Sequence, residues 1–151
     1  MSNVEATGST EATGSVQTMR SIQVVRHVYE RFGQGDVAAV LAAFDPGIEW
    51  RLAEGHPYSP DGAAWSGPAA VARNFFARAG SDWDGFTIAP AAMHEAGDTV
   101  VVECRYRGIY KATGKRLDAQ VCHVWGVRAG KVTRFQQYID TAQLQDVMGA
   151  R

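Results

Sequence analysis

The chain has 151 residues, enough for one domain of ordinary size around a single hydrophobic core. Hydrophobic residues make up 46% and aromatic residues 10%, a composition typical of globular rather than disordered proteins. The net charge is −1 with both signs scattered, so the charge pattern predicts neither a nucleic-acid nor an acidic-membrane partner. The sequence has no run of about 18 apolar residues and no basic-then-apolar signal peptide, so we expect a cytoplasmic protein.

The first 18 residues differ in composition from the rest. They read MSNVEATGSTEATGSVQT, with the word EATGS given twice and no apolar periodicity. Small polar residues of this kind bury too little surface to offset their ordering entropy. We therefore predict a disordered leader over residues 1–18 and a single domain over 19–151.

Three helices are predicted in the first half of that domain. Apolar residues recur at three- and four-residue spacing from Met19 to Gly33, which indicates an amphipathic helix. Asp36 is placed to cap a shorter helix over 37–44. Pro68 stands in the first turn of a third helix, over 67–80.

The other predicted elements are mostly strands. Alternating apolar residues in IEWRLA predict a strand over 48–53, and a Gly- and Pro-rich loop follows it. Four further strands and one short helix are predicted over 86–96, 99–110, 116–127, 132–140 and 141–148. This order predicts an α+β domain with its helices on one face of the sheet.

Five stretches together resemble the NTF2-like superfamily, and within it the SnoaL-like and ketosteroid-isomerase-related proteins. They are the first helix ending in GD, the EW strand, GPAAV, EAGDTVVVE and HVWGVRAGKVTRFQQYIDT, and the likeness spans about residues 19–149. The resemblance implies a cone, in which a curved, mostly antiparallel sheet wraps around three N-terminal helices and a short C-terminal helix follows. It also implies a deep apolar pocket, a homodimer and no cofactor.

Two catalytic sets of this superfamily do not carry over by position. Ketosteroid isomerases use a tyrosine and two aspartates, whose places hold Val28, Trp50 and Cys122 here. Limonene-epoxide-hydrolase relatives use an Asp-Arg-Asp set, whose places hold Cys104, Tyr106 and Gln137. The resemblance therefore does not predict either of these two reactions.

The polyketide cyclases of the superfamily match in part. They depend on an aspartate on the last strand, where Gln137 stands, and on a histidine on the strand before, which His123 resembles by spacing. The isomerase alignment places Cys122 inside the pocket and the cyclase spacing places His123 there, and strand alternation leaves both open. An outer-face histidine at a dimer interface is the alternative for His123.

The candidate catalytic residues are His123 or Asp118 as acid or base, with Tyr106 and Gln137 as hydrogen-bond donors to a carbonyl or enolate. The alternative for Asp118 is an exposed partner of a neighbouring arginine. The expected substrate-binding residues are Trp50, Leu52, Val28, Tyr29, His56, Tyr58, Trp65, Phe75, Cys104, Cys122 and Phe135. No paired histidine spacing indicates a metal site.

Asp140 is the remaining carboxylate of interest. It directly precedes TAQLQDV with Gln143 three places on, a spacing that predicts a helix cap rather than a catalytic acid.

The resulting functional expectation has two forms. The first is a cofactor-independent isomerase or cyclase that acts by proton transfer and substrate preorganisation on an apolar oxygenated, polyketide- or terpenoid-like compound. The second is a non-catalytic dimeric binder of an apolar metabolite, because carboxylates are missing at the familiar positions.

Overall fold

The computed structural model describes residues 19–151, so the predicted leader lies outside the described residues. Helix α1 (Ser21–Gly33) buries Ile22, Val25 and Val28 along one face, as the apolar spacing predicts. Helix α2 (Val37–Ala42) follows, and the side chain of Asp36 caps it by accepting from the backbone N–H of Ala39 at 3.0 Å.

The third predicted helix contains a wide turn. It consists of α3 (Pro68–Val71), a π-helical turn (Ala72–Phe76) and α4 (Ala77–Asp82). A π-helical turn inserts one extra residue into a helix, and such turns occur frequently at functional sites. Here the turn carries the neighbouring residues Phe75 and Phe76, so both rings reach the interior of the domain.

Six strands form one curved sheet in the order β2-β1-β6-β5-β4-β3. The strands are β1 (Phe44–Arg51), β2 (Trp65–Ser66), β3 (Trp83–Ala96), β4 (Thr99–Tyr110), β5 (Arg116–Arg128) and β6 (Lys131–Ile139). All neighbouring pairs are antiparallel except β1 and β6, which are parallel. This confirms the predicted fold, an α+β cone with a mostly antiparallel sheet.

The structure corrects the prediction at β1 and β2. The first strand begins at Phe44 and ends at Arg51, so Leu52 lies in the loop and the second helix ends at Ala42. Strand β2 was not predicted, because two residues are too few to show alternation.

The C-terminal helix α5 (Thr141–Val147) begins as predicted. Asp140 is its N-cap and accepts a hydrogen bond from the backbone N–H of Gln143 at 3.1 Å. Its carboxylate is thus used by the helix, which confirms the prediction of a cap. Within residues 19–151, no helix is long and apolar enough to cross a bilayer.

Candidate functional site

A small cavity lies between the concave face of the sheet and the helices. Its lining is almost wholly aromatic or aliphatic, and we call it the core cavity: Val28, Tyr29, Phe32, Val40, Trp50, Phe75, Phe76, Ile88, Tyr106, His123, Trp125 and Phe135. Its volume is about 20 Å³, room for about one water molecule. Pockets for drug-sized ligands measure roughly 300–1,000 Å³. The deep open pocket implied by the resemblance is therefore closed in this structure.

Strand pairing brings the aromatic walls together. Trp50 on β1 is directly opposite Phe135 on β6, and their rings stack with centroids 3.7 Å apart. The ring of Trp125 meets the edge of Phe135 at 4.6 Å, and Phe75 lies 5.8 Å from Trp50. Offset and edge-to-face contacts of this kind are favourable arrangements for aromatic rings. The packed rings form the wall of the cavity on the sheet side.

One side of the cavity is polar. His123 on β5 lies between two tyrosines, with Nδ1 2.6 Å from the hydroxyl of Tyr29 and Nε2 2.5 Å from the hydroxyl of Tyr106. The indole N–H of Trp125 donates to the hydroxyl of Tyr29 at 2.8 Å. The amide of Gln137 donates to the hydroxyl of Tyr106 at 3.2 Å. These five residues form a continuous hydrogen-bond network, which we call the Tyr-His-Tyr network.

Burial keeps the network neutral. Desolvation lowers the pKa of His123 from 6.5 to about 3, since a buried imidazolium would lose its hydration. Desolvation also raises the pKa values of Tyr29 and Tyr106 above the ordinary tyrosine range. At neutral pH the site therefore holds a neutral imidazole and two protonated phenols.

The Tyr-His-Tyr network has one phenol O–H hydrogen more than it has acceptors. A neutral imidazole has one N–H and one lone pair, so it donates to one tyrosine and accepts from the other. The tyrosine that accepts from His123 already accepts from Trp125 or Gln137, and its own O–H hydrogen then has no partner in the network. Either tautomer leaves one phenol hydrogen available, on Tyr106 or on Tyr29.

Cys104 lies beside this network, and at least one phenol hydrogen stays spare whether or not the thiol bonds to His123. Its sulfur is 3.7 Å from Nδ1 of His123. Burial raises the pKa of the thiol to about 12, so the group is a protonated thiol. A thiol is only a weak hydrogen-bond donor, and any bond that it made to Nδ1 would free the Tyr29 hydroxyl as well.

The structure decides which face of β5 points inward. His123 is 2% exposed and lines the cavity, whereas Cys122 is half-buried on the opposite face. Cys122 therefore does not line the core cavity, because residues adjacent in a strand point to opposite faces. Asp118 shares the outer face, half-exposed, with its carboxylate 2.5 Å from Arg105. It does not enter the cavity, so its proposed acid/base role has no geometric support.

Seven predicted site residues do meet at the core cavity. They are Val28, Tyr29, Trp50, Phe75, Tyr106, His123 and Phe135. Gln137 is fully buried behind Tyr106, so it contacts the network but not the cavity.

The predicted residues of the 54–66 loop do not line the cavity. His56 and Tyr58 are buried in a cluster of their own, in which Tyr58 donates to Asp82 at 2.7 Å. Leu52 is buried away from the cavity, and half-buried Trp65 pairs with Trp50 on the sheet edge. None of these four residues lines the core cavity.

Five lining residues were missed by the sequence analysis. They are Phe32, Val40, Phe76, Ile88 and Trp125. Phe32 carried a usable signal, since it continues the apolar face of the first helix. Trp125 shares the face of His123 on β5, and the sequence left open whether that face points inward. Phe76 did not, because only the π-helical turn brings it inward beside Phe75. The resemblance aligns the catalytic tyrosine of ketosteroid isomerases with Val28. The neighbouring residue is Tyr29, whose hydroxyl contacts His123.

Comparisons with known proteins agree with this fold. The profile of the SnoaL-like domain matches residues 25–135. A comparison with curated proteins finds no match. An NTF2-like protein from Burkholderia thailandensis is similar at 37% identity, with a TM-score of 0.82 over 87% of this chain and 98% of that one.

Two other solved structures are similar at lower identity. TerC, co-crystallized with polyporic acid, is 26% identical with a TM-score of 0.75, covering 85% of this chain and 98% of that one. A putative SnoaL-like polyketide cyclase from Jannaschia is 17% identical with a TM-score of 0.72, covering 87% and 92%. The chain therefore belongs to the SnoaL-like domain family and has the NTF2-like fold.

Proposed function

We propose that this protein is a cofactor-independent isomerase or cyclase that acts on an apolar oxygenated compound, polyketide- or terpenoid-like, in the core cavity. The observation that carries the proposal is the spare phenol hydrogen of the Tyr-His-Tyr network. It is a neutral donor among aromatic walls, where a ligand oxygen is its natural acceptor.

The chemistry follows from where charge develops. When a proton leaves the carbon next to a carbonyl, negative charge builds up on the carbonyl oxygen. A preorganised donor in a low-dielectric site stabilises that oxygen more strongly than water does. Tyr29 or Tyr106 would donate to this oxygen, and His123 would fix which of them does so. Trp50, Phe75 and Phe135 would hold the carbon skeleton.

The lack of an available base among the described lining residues limits the class of substrate. Among the described lining residues there is no carboxylate, and both nitrogens of His123 already bond to tyrosines. The proton must therefore leave an already acidic carbon, such as one between two carbonyls, and pass to water. Holding a flexible substrate folded in a cavity lined by aromatic rings supplies the rest of the acceleration.

Entry requires the cavity to open. Its half-buried lining residues are Tyr29, Phe32, Phe76 and Ile88, whereas the sheet-side rings are buried. Phe32 on α1 and Phe76 on the π-helical turn touch with centroids 5.9 Å apart. Separation of these two rings is the smallest movement that would join the cavity to solvent. We propose this as the mouth.

The relatives support the small-molecule interpretation. A 26% identical structure was crystallised with polyporic acid, and the family contains cyclases and isomerases. The second candidate is a binder that holds an apolar metabolite without turnover. The lack of a lining carboxylate among residues 19–151 favours it.

Hydrogen exchange at an acidic carbon tests the first function against the second. The probe is 2-tetralone in D₂O, whose acidic CH₂ gains deuterium when the ketone enolises, followed by ¹H NMR. The enzyme predicts exchange above the buffer rate. It also predicts roughly 10- to 100-fold slower exchange with Tyr29→Phe/Tyr106→Phe, because one oxyanion donor typically contributes at least this much.

The control variant is Tyr138→Phe, since Tyr138 is 54% exposed and remote from the cavity. It should exchange the probe at the wild-type rate. Binding of 2-tetralone with exchange no faster than in buffer would identify a binder and contradict catalysis.

A further inference from the structure

The indole N–H of Trp50 is buried without a hydrogen-bond partner. Trp50 is 3% exposed, and its Nε1 is a buried side-chain nitrogen that no group in residues 19–151 satisfies. The other indole of the cavity, that of Trp125, donates to Tyr29. Buried polar groups are nearly always paired in native proteins, so an unpaired one needs a physical explanation.

The neighbours of Trp50 offer no conventional acceptor. Its ring packs against aromatic rings with centroids 3.7–6.0 Å away, namely those of Phe44, Phe75, Phe76, Trp125 and Phe135. An aromatic face accepts an N–H only weakly. Trp50 also lines the core cavity, so a ligand bound there is placed beside its ring and can supply the acceptor.

Two hydrogens at the cavity lack an acceptor. One is the spare phenol hydrogen and the other is the indole N–H of Trp50. The lone pair of His123 is already taken by a tyrosine. A carbonyl oxygen of a ligand would satisfy either hydrogen, because it accepts hydrogen bonds and has no hydrogen of its own to place.

Phe135 separates the two donor positions. Its ring stacks on Trp50 and packs against His123, with centroids 4.8 Å apart in the second pair. Both donor positions therefore belong to side chains grouped around the Phe135 ring. A ligand beside that ring would need two acceptor oxygens to satisfy both donors at once.

We propose that Trp50 is a second anchor, whose N–H donates to a second carbonyl oxygen of the ligand. This inference rests on the proposed function and narrows its substrate class to apolar dicarbonyl compounds, of the diketone or quinone type. The spare phenol holds one oxygen and Trp50 the other. The resemblance aligns the aspartate base of ketosteroid isomerases with Trp50, so at this position the chain has a hydrogen-bond donor instead of a base.

Two bicyclic probes of similar size distinguish binding through one carbonyl hydrogen bond from binding through two. 1-Tetralone has one carbonyl, and 2,3-dimethyl-1,4-naphthoquinone has two and carries methyl groups that hinder thiol addition. Calorimetric titration should show that Trp50→Phe weakens binding of the quinone about five-fold, as expected for one neutral hydrogen bond. The affinity for 1-tetralone should fall by less than that for the quinone, because this probe loses only its contact with the Trp50 ring.

Trp83→Phe is the matched control, since Trp83 is buried but does not line the cavity. It should leave both affinities at the wild-type value. If Trp50→Phe leaves the quinone affinity unchanged, or weakens both probes equally, the second anchor is wrong. In both cases the proposed function stands, because 1-tetralone still binds. If neither ketone binds, both proposals fall.

A measurement on the unaltered protein covers the case in which Trp50→Phe does not fold. In ¹⁵N–¹H spectra the indole signal of Trp50 should move downfield when the quinone is added, as an N–H does on forming a hydrogen bond. It should move less with 1-tetralone. A signal that does not move with the quinone would show that the N–H binds something else, such as a water, and would overturn the inference.

Discussion

Residues 19–151 contain two buried histidine–tyrosine clusters, and of these two the one around His123 lines the core cavity. His123 lies between Tyr29 and Tyr106, and His56 lies against Tyr58 in the 54–66 loop. Burial lowers the pKa of both imidazoles, to about 3 for His123 and about 4 for His56. By burial and pKa alone the two would be equal candidates for a functional site.

The hydrogen bonds separate the clusters. Nδ1 of His56 accepts the backbone N–H of Tyr58 at 3.0 Å, and the hydroxyl of Tyr58 donates to Asp82. The guanidinium of Arg78 lies 3.8 Å above the Tyr58 ring. These bonds tie a loop to a helix and use the tyrosine hydrogen within the protein. The Tyr-His-Tyr network instead leaves a phenol hydrogen for a ligand, which is why we place function there.

The largest expected effect is on the pH dependence of stability. Each imidazole has a folded pKa below its ordinary value of 6.5, so below pH 6.5 the unfolded chain binds more protons. Their stabilising contribution is complete above pH 6.5 and is lost as the pH falls toward 4. One pKa unit is worth about 1.4 kcal/mol, so both together should lose about 5 kcal/mol between pH 6.5 and 4.5.

Urea unfolding at pH 7.0, 5.5 and 4.5 measures this loss. His123→Leu and His56→Leu should each flatten the curve by about half over that interval. Below about pH 4 the stability should fall further through His123 alone, because the folded pKa of His123 is the lower of the two. A wild-type curve that neither variant changes would contradict the neutral buried histidines.

At pH 7 the next effect is the stability of the two leucine variants. His123→Leu leaves two buried phenol hydroxyls without their imidazole partner, and we expect a loss of about 3 kcal/mol. His56→Leu leaves one buried backbone N–H unpaired, and we expect about 1–2 kcal/mol. If chemical denaturation showed the same loss of unfolding free energy for both variants, the expected energetic difference between the two clusters would be wrong.

A smaller effect distinguishes the tyrosines. Tyr58→Phe removes the bond to Asp82 and should lower the free energy of unfolding by about 1 kcal/mol. It should not change deuterium exchange into 2-tetralone, since Tyr58 does not line the cavity. Slower exchange in Tyr58→Phe, at the level of Tyr29→Phe/Tyr106→Phe, would show that the loop cluster takes part in catalysis.

The smallest effects belong to the carboxylates that the sequence singled out. Asp140→Ala should cost about 1 kcal/mol of stability as a lost helix cap, with unchanged exchange. Asp118→Asn breaks an exposed pair with Arg105 and should change the free energy of unfolding by less than about 1 kcal/mol. Loss of exchange in either variant would show that a carboxylate acts in the reaction after all.

Much of the fold was predictable because it depends on local patterns. The apolar spacing of α1, the cap at Asp140 and the alternation of β4 to β6 each use nearby residues only. The family resemblance supplied the cone, in which a curved sheet wraps around the helices, but not the strand order. The boundaries of β1 and the two-residue β2 were missed, because these segments are held by pairing with strands distant in sequence.

The site was less predictable than the fold. Alternation shows that His123 and Cys122 face opposite ways, but only the packed sheet shows which faces inward. The inward position of Phe76 depends on the π-helical turn, which has no signature in the sequence. The cavity volume is a property of packing, since it depends on how a dozen side chains fit together rather than on which residues are present.

The most direct test of the central claim is a crystal structure with 2,3-dimethyl-1,4-naphthoquinone bound. We expect the quinone inside an enlarged core cavity, with one oxygen at hydrogen-bond distance, roughly 2.5–3.0 Å, from the hydroxyl of Tyr29 or Tyr106. A quinone seated in the cavity with both oxygens against apolar rings would contradict the account. So would a cavity that stays closed with the probe on the outer face.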